Sequence, residues 1–148
     1  MALNFEKYAQ EGNRFINDLA EKLGHPEETA RTGIILRAVM HTLRERITMS
    51  ESLNLLSQLP MFLKGLYVEN WKFREKPVDI KTKEAFLEEV EKYQDQYGEQ
   101  KFSWNKSTEK ISQIVIAALG EYVSKGEFED IIDQMPMDIK DLFLESIK

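Results

Sequence analysis

Two histidines, several groups of carboxylates, six arginines and a set of aromatics outside the helical stripes are the side chains of this sequence that could do chemistry. His41 lies four residues before Glu45, so a helix would put both on one face and offer two metal ligands. A metal centre takes three or four, and no third is indicated. His25 precedes Pro26 in a loop. Farther along, Glu127, Asp130, Asp133, Asp138, Asp141 and Glu145 are acidic enough to attract a divalent cation. The EF-hand order of oxygen ligands around a central glycine is absent, however, and solvated helix faces are the simpler account. Arg37 and Arg44, seven residues apart, share a helical face, with Arg31 nearby. They suit an anion or a partner's carboxylates, although intramolecular pairing or plain solvation is the simpler account. Tyr67, Trp71 and Phe73 surround a linker expected at residues 71–81, and Phe102 and Trp104 fall in a later loop. They either seal a seam between parts of the fold or anchor a partner. No cysteine is present, which removes disulfides, thiolate zinc sites and cysteine nucleophiles. No serine-hydrolase elbow, phosphate-binding glycine loop or zincin pattern appears. Catalytic residues, cofactor and metal are therefore all expected to be none.

The elements that must position these groups follow from composition and periodicity. The 148 residues are 42% hydrophobic and 31% charged, enough for one domain or for two small units sharing a core. The net charge of −6 is uneven: residues 1–76 carry +1 and residues 77–148 carry −7, and all six arginines lie in the first part. An acidic chain is a poor match for phosphate backbones, so nucleic acid is not an expected partner. The most apolar segment, residues 33–43, is too short for a bilayer and is interrupted by Arg37 and His41. The start of the chain lacks a basic segment followed by an apolar one, so no leader or membrane attachment is expected. Lack of cysteine suits a reducing cytoplasm.

The sequence repeats itself. Shifted by 76 positions, residues 39–68 lie over residues 115–144 without a gap and agree at nine positions, among them Leu43/Leu119, Glu51/Glu127, Gln58/Gln134 and Pro60/Pro136. Upstream, Phe15 matches Phe86 at a shift of 71, so the second copy carries about five extra residues, expected in the polar stretch 94–101. Each copy reads as four helices. The first, about residues 5–23, places Phe5, Tyr8, Phe15, Leu19 and Leu23 near one stripe. Gly24 is a left-handed stop, and Pro26 suits the first turn of the next helix, with Glu27 and Glu28 at its positive end. That helix runs to about Arg46 and buries Ile35, Val39 and Leu43. Thr48 to Glu51, and again Ser124 to Glu127, form a capping box, in which the glutamate should reach back to the N-cap N–H. Leu53, Leu55, Leu56 and Leu59 fill the third helix. Pro60 and Pro136 end the third helix of each copy and open the fourth from its first position. Gln58 and Gln134 should bond backbone at the corner between those helices. The expected architecture is all-α, a tandem duplication of a four-helix unit with about eight helices and essentially no sheet. Residues 1–70 form the first repeat, 71–81 a linker and 82–148 the second repeat.

Glu45-Arg46-Ile47, Glu51 and Gln58-Leu59-Pro60, echoed by Glu127 and Gln134-Met135-Pro136, resemble the bacterial family known as domain of unknown function number twenty-two sixty-seven. The resemblance covers nearly the whole chain and implies an all-helical, often duplicated fold with a Gln-Leu-Pro turn after a Ser/Thr cap. Here methionine stands for leucine in the second turn. The resemblance implies no activity, substrate or catalytic residue.

The function expected from these readings is a non-enzymatic helical module that binds another macromolecule, a protein above all. Its candidate surface is Arg31, Arg37, Arg44, Trp71 and Trp104, and Gln58, Pro60, Gln134 and Pro136 serve as structural turns. The alternative is a small-ligand sensor with a pocket between the repeats. The expected assembly is a monomer or weak dimer in the cytoplasm.

Overall fold

Helix signals decide the architecture. In the computed structural model, which describes residues 3–98 and 103–146, eight helices follow one another and no strand occurs among those residues. They are α1 (Phe5–Lys22), α2 (Thr29–Arg46), α3 (Met49–Gln58), α4 (Met61–Val68), α5 (Lys83–Tyr97), α6 (Thr108–Gly120), α7 (Lys125–Asp133) and α8 (Met137–Ser146). The caps account for the starts. Asn4, Thr48, Thr82, Ser107 and Ser124 each accept a hydrogen bond from a backbone N–H in the first turn. Gly24, with φ +85°, breaks α1 in the left-handed region that a side chain would strain. The helices α3 and α7 start 76 residues apart, as do α4 and α8, which matches the sequence shift. No helix among the described residues is long and apolar enough to cross a membrane.

Several local expectations change. Phe5 and Leu53 are exposed, because the buried stripe of α1 begins at Phe15 and that of α3 runs through Ser52 and Leu55. Pro26 lies in a turn, and α2 starts only at Thr29, with Glu28 as N-cap and its carbonyl accepting from the N–H and hydroxyl of Thr32. Pro60 is the N-cap of α4, one position before the expected one. Residues 94–97, expected to be loop, continue α5: Gln94 extends the buried stripe of Phe86 and Val90 at four-residue spacing. The rest of the expected loop, residues 99–101, together with Phe102, lies outside the described residues.

The two copies do not stand apart. Their buried side chains form one apolar cluster, from Phe15 and Leu19 through Val39 and Tyr67 to Phe86, Val115 and Phe143. The most extensive packing is between α2 of the first copy and α5 of the second. Burial of this shared surface is the main stabilising contribution.

The capping boxes are only half as expected. Glu51 N–H donates to Thr48 Oγ1 and Glu127 N–H to Ser124 Oγ, each at 3.1 Å. The N-cap N–H groups, however, are taken from across the seam. Thr48 N–H donates to Gln134 Oε1 at 2.9 Å, and Ser124 N–H donates to Gln58 Oε1 at 2.7 Å. Each copy thus caps the other through the end of its third helix, and α3 and α7 run antiparallel. Gln58 and Gln134, expected to bond backbone at their own corner, bond it instead at the start of the partner helix. An amide oxygen delivered there displaces the glutamate from its usual acceptor role. Replacing Gln58 or Gln134 by Leu should cost about 1 kcal/mol each, the value of a hydrogen bond in a corner water can reach. Urea denaturation of both single variants checks this, and two parent-like midpoints would mean that water caps the helices equally well.

Candidate functional site

The segment joining the copies closes a cleft. Asn70, at φ +53°, turns the chain after α4, and Trp71 N–H donates to Val68 O at 3.2 Å. At the far end, Val78 N–H donates to Glu45 O at 2.8 Å and Arg46 Nη1 donates to Val78 O at 3.0 Å. Between these anchors the strap carries Lys72, Arg74 and Lys76, all exposed. Beneath it lies a cavity of about 400 Å³, within the range that holds a small ligand. Arg44 forms part of its floor, and Trp71, Tyr93 and Tyr97 are its aromatic walls.

Packing fixes each wall. Trp71 sits edge-on to the fully buried Tyr67, with centroids 5.5 Å apart. Tyr93 and Tyr97, one turn apart on α5, stack at 5.5 Å and 22°. Arg44 is buried and donates through Nη1 to the Tyr67 carbonyl. Burial lowers its pKa from the ordinary value while the tyrosines around it work in the opposite sense. Tyr93 donates to Glu45 Oε1. Burial first, and then that carboxylate, push its hydroxyl up, and burial likewise raises Tyr97. Both therefore remain neutral phenols at ordinary pH. The cleft gathers four cationic side chains against the single carboxylate of Glu45, which is already engaged.

Behind this wall His41 is 1% exposed. Its Nε2 lies 2.7 Å from Leu66 O and its Nδ1 2.5 Å from the Tyr97 hydroxyl. A carbonyl only accepts, so Nε2 carries the proton and Nδ1 accepts from Tyr97. Burial holds the ring pKa at about 4, against 6.5 normally. The ring is neutral, and both of its nitrogens are occupied by Tyr97 and Leu66.

The residues expected to form one surface are divided among three places. Arg44 and Trp71 line the cleft. Arg37 Nε donates to Glu69 Oε1 at 2.8 Å. Arg31 and Trp104 both reach Glu28, at 2.7 Å each, and the Trp104 ring stacks on His25 at 4.2 Å and 8°. Arg31, Arg37 and Arg44 therefore all have intramolecular partners and do not present a common face. Trp104, 8% exposed, seals the second copy onto the first, whereas Trp71 is half-buried. Phe73 is 73% exposed. Lys72, Arg74, Lys76, Tyr93 and Tyr97 were not singled out by sequence reasoning. The alternating basic residues of the strap were the available signal.

A family model described as "Uncharacterized conserved protein (DUF2267)" matches residues 12–142. A comparison with curated proteins gives no match. With the matched region reaching from α1 into α8, the chain belongs to the DUF2267 family.

Proposed function

We propose that this protein is a non-enzymatic sensor whose cleft binds a small anion bearing a flat ring. One observation carries the reading: in a chain of net charge −6, four cations and three aromatic rings border a single cavity of about 400 Å³. Arg44 and the strap cations supply charge-assisted donors. Trp71 and the tyrosines supply faces for a planar group. The acid–base groups here are engaged with one another, Glu45 accepting from Tyr93 and His41 behind the wall having both nitrogens occupied, which supports binding over catalysis.

A protein partner, the expectation from sequence, has one supporting feature. Phe73 projects between Lys72 and Arg74, so an acidic peptide could use it as an anchor. Phe73→Ala should weaken such a peptide and leave a small anion unaffected.

Calorimetric titration with a nucleoside triphosphate and with inorganic tripolyphosphate tests the proposal. Both should bind. A Lys72→Gln, Arg74→Gln, Lys76→Gln triple variant should lose roughly 100-fold in affinity, about 1 kcal/mol per rim cation. Trp71→Ala should weaken the nucleotide only. No binding at millimolar concentration, or equal binding by the triple variant, overturns the reading.

A further inference from the structure

The glutamates displaced from their caps meet at the seam. Glu51 and Glu127, 6% and 7% exposed, come from the first turns of α3 and α7. Together with Asp130, one turn along α7, they place carboxylate oxygens within 4.8 Å of one another. Glu51 Oε2 accepts from Asn54 Nδ2 at 3.1 Å, and Asn54 is the counterpart of Asp130 at the 76-residue shift. A second observation concerns Glu127 alone. Its Oε1 is buried and has no hydrogen-bond partner. The groups beside it, Glu51 and Asp130, are both acidic. An unpaired buried carboxylate is costly. The positive ends of α3 and α7 reduce that cost in part.

We propose that Glu51, Glu127 and Asp130 bind one hard divalent cation of calcium size across the seam between the two copies. An all-oxygen set without His or Cys selects a hard cation. Calcium tolerates a flexible oxygen shell at about 2.4 Å, which three carboxylates and waters can fill, whereas magnesium demands a near-ideal octahedron. Asp130 is exposed, which leaves one side open for waters to complete the coordination shell. The ion would satisfy Glu127 Oε1 and tie α3 to α7, independently of the cleft.

Terbium is a luminescent stand-in for calcium, and Tyr67, whose hydroxyl is acted on by the Glu127 charge, is placed to sensitise it. Titration of the wild type should give saturable emission at one ion per chain, displaced by calcium. Calcium alone should raise Tm by about 9 °C at 100-fold excess over Kd. Glu51→Gln with Glu127→Gln keeps the side-chain shapes and removes the repulsion. Circular dichroism should report it folded, with both responses lost. The same emission and shift in that variant would mean adventitious surface binding, and would overturn the site. So would a wild-type stability that responds to pH but not to millimolar calcium, since the carboxylates would then share only a proton.

Discussion

Trp104→Ala should destabilise the protein by about 3–5 kcal/mol, the cost of emptying a large aromatic from a core. The indole is 8% exposed, stacks on His25 and donates to Glu28, which in turn holds Arg31. Its loss leaves a cavity and a carboxylate short of a donor at the place where the second copy covers the turn before α2. Trp71→Ala should cost only about 1 kcal/mol, because a half-buried ring keeps much of its surface in water in both states. Chemical denaturation of both variants measures the contrast. Equal small losses would mean that Trp104 does not hold the copies together.

Acid should remove about 3 kcal/mol of stability through His41 alone. Its folded pKa of about 4 lies below the unfolded 6.5, so the unfolded chain binds the proton first. The contribution is full above pH 6.5, falls as pH drops toward 4 and is gone below it. Burial outweighs the groups facing the ring, which divide in sense: the Leu66 carbonyl and Glu69 after α4 favour a charge, Arg44 and Arg37 on its own helix oppose one, and Tyr93 and Tyr97 of α5 are neutral. Glu127, raised to about 7, works in the opposite direction, gaining stability as pH falls through 7 toward 4.5. The wild-type profile sums the two, so His41 is isolated by comparison with His41→Gln. That variant should be less stable at pH 7 and should lose the acid-side fall between pH 6.5 and 4. Parallel profiles in the two proteins would remove His41 from the account.

Much of the fold was legible because its signals are local. A threonine or serine oxygen three residues before a glutamate, a glycine past a stripe and a proline after a leucine each act within one turn of chain, and the starts of α3, α4, α7 and α8 follow from them. The direction of Glu51 and Glu127 was not legible. The competitor for each cap comes from a glutamine 86 positions away for Thr48 and 66 for Ser124, and only the tertiary pairing of α3 with α7 brings it there. The cleft was hidden for the same reason. Lys72, Arg74 and Lys76 are visible as an alternating basic run, but their convergence on Tyr93 and Tyr97 depends on Asn70 turning the strap back and on α2 packing against α5. Arg44, read as surface, is buried because its guanidinium reaches in to the Tyr67 carbonyl in the last turn of α4.

The cleft is the centre of this account, and the two tryptophans report on it directly. The two indole N–H groups give separate NMR signals, one at the cavity wall and one sealed against Glu28. Titration with a nucleoside triphosphate should move the Trp71 signal to saturation while that of Trp104 stays in place. If neither moves at millimolar ligand, or if only Trp104 does, the cleft is not the binding site.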